Sequence, residues 1–204
     1  MLRSSRPWVF ALLLGTGLVA GPWLGERSAA ASAAIALTLD DLVVKSDVVA
    51  VGTATARTAR WEDGKIVTYT TITVDQALGG GAAKGDTLVV RTLGGVVGTI
   101  GQKVHGEAVL PVGGRFVLFL RALPAAAASA ALPGARSVTG MEQGALPIVV
   151  DADKAPRIGP SGATLTLVPT AAPKDVPASV ATAGRKLDDV VGDVKSLWTT
   201  HGKK

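Results

Sequence analysis

The sequence predicts a mainly β chain: an antiparallel barrel of five or six strands, with a short N-terminal helix and a C-terminal amphipathic helix. Three observations carry this expectation. Two β-rich runs, "DVVAVGTATARTARW" and "IVTYTTITVDQAL", are joined by "EDGK" (Glu62 to Lys65), whose Asp-Gly pair signals a tight hairpin. Further on, "RFVLFLRAL" is a continuous apolar run of the kind found in a buried central strand. Near the C-terminus, Val180, Ala183, Leu187, Val190, Val191, Val194, Leu197 and Trp198 recur at spacings of three and four. That periodicity lays one apolar stripe along a helix from Ser179 to Thr200. Closing the sheet into a barrel would hide the edges of its short strands. A β-sandwich is the second arrangement compatible with the pattern.

Residues 1–33 read as an export signal. Arg3 and Arg6 precede an apolar run from Trp8 to Ala20, and small residues follow, with "ASA" ending at Ala33. The run has 13 residues, which is short for a membrane anchor. Cleavage after Ala33, or nearer Ala20, places the mature chain in the periplasm or outside the cell, with no stable membrane span. The leader takes Arg3, Arg6, Arg27 and Glu26 with it, lowering the formal charge from +5 to +3. The remaining basic residues are scattered and only 4% of residues are aromatic. A nucleic-acid footprint is therefore not expected. With no cysteine there is no disulfide, and stability must come from packing. The richness in Ala, Gly and Val, with Arg used beside Lys, suggests a bacterial source.

The barrel domain is expected over residues 34–150. Thr38 caps a short helix in "TLDDLVVKSD", with Asp40 and Asp41 in its first turn. The hairpin described above follows, then a loop at "GGGAAKGD" and a strand at "TLVVRT". "KVHGEAVL" (103–110) alternates and reads as another strand, and "PVGG" turns the chain into "RFVLFLRAL". The segment "PAAAASAALPGAR" reads as an exposed loop. Strands at "SVTG" and "ALPIVV", separated by "MEQG", complete the sheet. Residues 151–178 form a Pro/Ala-rich linker or wrap with one weak strand candidate at "ATLTLV". Residues 179–204 hold the helix and a polar tail.

Chemistry was sought first in "RTLGGVVGTIGQKVHG" (Arg91 to Gly106). A phosphate-cradling loop needs a strand before the glycines and a helix after them. Here a strand pattern follows, and no Lys-Ser/Thr pair is present. The glycines therefore read as positive-φ turn positions. His105 and Glu107, two apart on one expected strand, would share a face as a metal-ligand or acid/base pair. The chain has no cysteine, and its other histidine, His201, sits in a polar tail beside Lys203 and Lys204, so a solvated pairing with a basic neighbour fits better. "GPSGA" has its second glycine too early for a nucleophile elbow. No cofactor and no enzymatic activity are expected.

"SDVVAVGTATA", "TYTTITVDQALGG", "GDTLVVRTLGG" and "GGRFVLFL" occur in that order from Ser46 to Leu120. This succession resembles the OB-like barrel of netrin-type modules and tissue inhibitors of metalloproteinases. It resembles more closely a set of uncharacterised exported bacterial proteins with "GG.vG" and "GM.QG" segments, the latter matched by "GMEQG" at Gly140 to Gly144. The resemblance covers about half the chain and implies an OB-like fold. The metalloproteinase inhibitors act through an N-terminal cysteine that this chain does not have.

The resulting expectation is an exported, non-enzymatic binding or interaction module of the cell envelope. The alternative is a regulator or inhibitor of a secreted protease. The partner would be an exported protein or envelope component. Its binding face is expected where Arg91, Gly94, Gly95, Gly98, Gly101, His105, Glu107, Met141 and Gln143 meet, since function gathers on loops held by a rigid scaffold. In the competing view Gly140 and Gly144 only bend an edge strand, while Met141 fills core.

Overall fold

The computed structural model describes residues 33–128, 131–161, 166–168 and 176–203. All of them belong to the unit Ala31–Lys204. The expected leader, residues 1–33, lies outside the described residues except for Ala33. The described chain is mainly β, built on one seven-stranded sheet with few helices.

Strand β1 (Ala33–Ile35) leads to helix α1 (Leu39–Val44). Thr38 caps the helix as expected. Its Oγ1 accepts from the Asp41 N–H at 3.1 Å, while Asp41 Oδ2 accepts from the Thr38 N–H at 3.2 Å. This reciprocal box satisfies two donors that a helix start leaves open. Six residues cannot hold a helix alone in water, so α1 depends on burying Leu42 and Val43.

Strands β2 (Val48–Glu62) and β3 (Lys65–Gly79) form the expected hairpin. Asp63 (φ 48°) and Gly64 (φ 73°) make its two-residue turn, both left-handed, the conformation that matches strand twist. Register slips at Val49/Ala50, Val51/Gly52 and Ala54/Ala56 bend this long ribbon. Strand β4 (Thr87–Leu93) pairs with β3. A small separate hairpin follows, β5 (Gly95–Val97) and β6 (Ile100–Gln102). Strand β7 (Arg115–Ala122) is the apolar run read as a central strand, and it pairs with β2 over Val48 to Thr53.

After β7 come a four-residue helix α2 (Ala125–Ala128) and β8 (Arg136–Val138), which pairs with β7 and touches β4 at Val90↔Arg136. A 3-10 turn at Met141–Gly144 leads into β9 (Ala145–Val150), and β10 (Pro156–Ile158) lies along β9. The sheet order is β10-β9-β7-β2-β3-β4-β8, with β8 also bonded to β7. Strand β11 (Thr166–Val168) pairs in parallel with β1, apart from the main sheet. Helices α3 (Ala178–Thr182) and α4 (Leu187–Thr200) close the chain.

Two apolar layers share strands β2 and β7, which explains the unbroken hydrophobicity of "RFVLFL". One layer gathers Val49, Val51, Val117 and Phe119 beneath α1 and α4. The other gathers Ile72, Val90, Phe116, Leu118, Leu120 and Val138 on the opposite side. A third, smaller cluster sits on β3, where Val67 and Tyr69 are covered by Leu123, Ala131 and Ala135 of the Ala-rich segment. That segment was expected to be an exposed loop; most of its described residues are exposed, while Ala131 and Ala135 pack over a sheet face.

Three expectations need correction. The main sheet has seven strands, where five or six were expected of a barrel, because β9 extends it and β10 adds an edge. Residues 103–110 are not a strand. Ala108 and Leu110 are buried while His105 and Val109 are exposed, so the alternation is real. Yet the segment turns at His105–Gly106 (Gly106 φ 80°), and its backbone bonds go to the turn and to Glu142. Alternation here records burial without ladder pairing.

The C-terminal helix is broken between Thr182 and Leu187. Gly184 (φ 75°) donates to the Ile158 carbonyl, and the Arg185 carbonyl accepts from Ile158. Docking against β10 takes these backbone groups out of the helix. Val180, assigned to the apolar stripe, is 65% exposed, whereas the stripe from Leu187 onward is buried as expected. Residues 151–178, read as a linker or wrap, include β10, whose Ile158 lies in the core. Of the strand candidate at 163–168, Thr166–Val168 is a strand and the rest lies outside the described residues.

Candidate functional site

The glycines of "LGGVVGTIG" fold the β5–β6 hairpin back over the β2–β3 ribbon. The Gly94 N–H donates to the Ile66 carbonyl at 2.7 Å, and Thr68 Oγ1 donates to the Gly94 carbonyl at 2.6 Å. Gln102 Oε1 accepts from the Ile66 N–H at 2.7 Å. At Gly95 (φ 138°) a Cβ would stand 2.4 Å from Thr68 Oγ1, so no other residue fits this approach. The loop is a tethered hairpin, and the tether needs its glycines.

Beside this hairpin opens a cleft of about 750 Å3. Leu93, Gly94, Gly95, Val96 and Gly101 form one wall, and the irregular segment from Lys103 to Pro111 forms another. Phe116 from β7 and Pro147 and Ile148 from β9 supply further apolar surface. Arg57, Lys103, Arg115, Glu107 and Glu142 bring charge to its edge. Arg115 is held by Asp75 at 2.9 Å. Arg57 and Lys103 have no ion pair or side-chain hydrogen bond among the described residues.

A second cavity of about 190 Å3 lies next to the cleft, the two sharing Leu93 and Glu107. Arg91 and Met141 line this smaller space, with Arg121, Leu123 and Ser137. The sequence-predicted site residues are thus distributed. Gly94, Gly95, Gly101 and Glu107 line the cleft, and Arg91, Glu107 and Met141 line the small cavity. Gly98 (φ 60°) forms the hairpin tip, and His105 is exposed in a turn. Gln143 is buried and holds the N-terminal segment: its Nε2 donates to the Ile35 carbonyl at 3.1 Å and its Oε1 accepts from the Leu37 N–H at 2.8 Å. With residues 103–110 irregular, His105 and Glu107 share no strand face.

Arg91 has a partner that sequence spacing did not reveal. Its Nη2 and Nε both reach Glu62 Oε2 at 3.0 Å, while Glu62 Oε1 binds Arg60 at 2.6 Å and accepts from the Tyr69 hydroxyl at 2.5 Å. Arg60 also lies 4.7 Å over the Tyr69 ring. Register explains the cluster: Tyr69 stands opposite Arg91 across β3–β4, and alternation puts Arg60 and Glu62 on the same sheet face. Burial pushes the Glu62 carboxyl up, but hydrogen bonds from Tyr69, Arg60 and Arg91 outweigh it and hold the group below its ordinary range.

Glu107 goes the other way. Burial raises its carboxyl above the ordinary value near 4.5, opposed by a backbone hydrogen bond at Leu93 and by the charge of Arg91. An acid whose folded value is raised binds more protons folded than unfolded. Its stabilising effect is complete below the unfolded value and is lost as pH rises through the folded one. Glu107→Gln removes that loss. Thermal melts across pH should show the variant gaining on the parent as pH rises from 4 to 7, with the gap closing at the acid end; a pH-independent gap would contradict this.

Among the described residues no group of three or more His, Cys, Asp or Glu side chains could hold a metal ion. No helix among them is long and apolar enough to cross a membrane. Sequence reasoning missed Arg57, Lys103, Phe116, Pro147 and Ile148, which come from distant segments and carry no shared local signal. Compared with family models, with curated proteins and with solved structures, the chain matches none of them.

Proposed function

We propose that the chain is an exported, non-enzymatic binding module whose ligand occupies the cleft beside the β5–β6 hairpin. The observation that carries this is the cleft itself. Its volume falls in the range typical of small-molecule sites, roughly 300–1,000 Å3, and an apolar lining with a few convergent polar groups is the usual composition of such sites.

The sheet pairings favour an OB-like barrel as the scaffold. From β2 the hydrogen-bonded neighbours run to β3, β4, β8, β7 and back to β2. The β4–β8 step rests on the single pair Val90↔Arg136, which suits a five-stranded barrel that is only partly closed. Such barrels bind through one sheet face and adjoining loops. Here a face of β3 is already covered by Leu123, Ala131 and Ala135, and the Leu132 N–H donates to the Tyr69 hydroxyl at 3.2 Å. The cleft remains open.

A substitution at the cleft mouth tests the reading. Val109 lines the cleft yet is 67% exposed, so a larger side chain there fills the space without disturbing the core. Val109→Trp is expected to weaken binding of the uncharged probe N-phenyl-1-naphthylamine by about tenfold or more, equivalent to about 1.4 kcal/mol, with the melting temperature unchanged. Equal affinity in parent and variant would remove the cleft as the site.

Export rests on the basic start and apolar run of the first 20 residues. Replacing Leu12, Leu13 and Leu14 with Asp should leave unprocessed chain in the cytoplasm of an expressing bacterium. Processing at the parent rate would overturn the export reading.

A further inference from the structure

The cleft is lined by both apolar and charged side chains, and this points to the chemistry of what it holds. Two of its apolar lining residues, Val96 and Val109, are 66% and 67% exposed. Large aliphatic side chains left exposed on a cleft wall suit a surface that is covered in use. Its charge is unbalanced in a specific way. The Glu107 carboxylate is committed to the Leu93 backbone and the neighbourhood of Arg91, and Glu142 is not free of partners. Arg115 is matched by Asp75. Among the described residues, Arg57 and Lys103 are left without an ion pair or side-chain hydrogen bond. They come from different segments, β2 and the end of β6, yet border the same space.

We infer that the ligand is a single-tailed amphiphile with an anionic head, its tail along Leu93, Val104, Phe116 and Ile148 and its head between Arg57 and Lys103. The inference rests on the cleft being the binding site. An apolar tail gains by leaving water in proportion to the area it buries. A carboxylate or phosphate head gains charge-assisted hydrogen bonds from two cations that have no partner to give up. Such a ligand covers the exposed valines and neutralises the two free cations together. A wholly apolar ligand would leave Arg57 and Lys103 beside its surface with no counter-charge. A cationic amphiphile would set like charges against each other.

Calorimetric titration of the full chain with dodecanoate, dodecanol and dodecyltrimethylammonium, each below its aggregation concentration, holds the tail constant and varies the head. Acetate supplies the head without the tail. Dodecanoate is expected to bind at least tenfold more tightly than dodecanol, with the cation weakest and acetate giving no saturable heat. The double variant Arg57→Gln/Lys103→Gln is expected to bring dodecanoate down to the affinity of dodecanol while leaving dodecanol unchanged. Equal binding of the three heads, or a dodecanoate preference that survives the double variant, overturns the anionic-head assignment and leaves the cleft standing. If no dodecyl compound binds and Val109→Trp leaves the naphthylamine probe unaffected, the cleft reading and this inference both fail.

Discussion

Glu62→Ala is expected to destabilise the fold by about 3–5 kcal/mol, the range seen when one partner of a buried ion pair is removed. The side chain is 4% exposed and is the acid that Arg60, Arg91 and Tyr69 share. Without it the Arg91 guanidinium, itself 13% exposed, loses its ion-pair partner. The Tyr69 hydroxyl loses its acceptor as well, and with it a fixed orientation for the bond from Leu132. Acid should imitate the substitution in part. The folded Glu62 value is lowered, so its contribution is present above the unfolded value and is lost as pH falls through the folded one. Denaturant melts of parent and variant should therefore converge at low pH. A variant within about 1 kcal/mol of the parent at pH 7 would mean that the network is not buried as described.

Trp198→Ala is expected to cost a similar amount, about 3–5 kcal/mol, because it empties the contact that fixes α4 to the sheet. The indole packs on Gly79, where a Cβ would stand 2.3 Å from its ring, and Lys203 Nζ lies 5.0 Å over the ring. Lys203 in turn donates to the carbonyls of Val43, Val44 and Ser46, joining the chain's last turn to the end of α1. The loss should appear as a fall in melting temperature of about 10 °C for a chain of this size. Gly79→Val should reproduce much of it from the opposite side of the contact. If α4 can be loosened without effect on the melt, it is an appendage and not part of the core.

What the sequence disclosed was local. The Thr38 box, the Asp63-Gly64 turn and the buried run of β7 are each written within a few consecutive residues, and each is found as expected. The errors share a cause. Residues 103–110 alternate because alternate side chains are buried, but their backbone partners lie elsewhere. The C-terminal helix breaks at Gly184 because β10, some 26 residues earlier, takes its backbone groups. Of the residues expected to bind, four glycine-loop and neighbouring positions do line the cleft, whereas Gln143 serves the N-terminal segment and Arg91 serves Glu62. The cleft also needs Arg57, Phe116 and Ile148, and only the pairing of β7 with both β2 and β9 brings those strands together. No window along the chain contains that information.

The claim that binding is seated in this cleft is tested most directly by hydrogen exchange on the full chain, with and without a solvent extract of bacterial envelope. Amides of residues 94–109 and 145–148 are expected to slow when the extract is present, while those of residues 123–128 and 131–135 keep their rates. Protection confined to the latter segments, or no protection anywhere, would contradict the account.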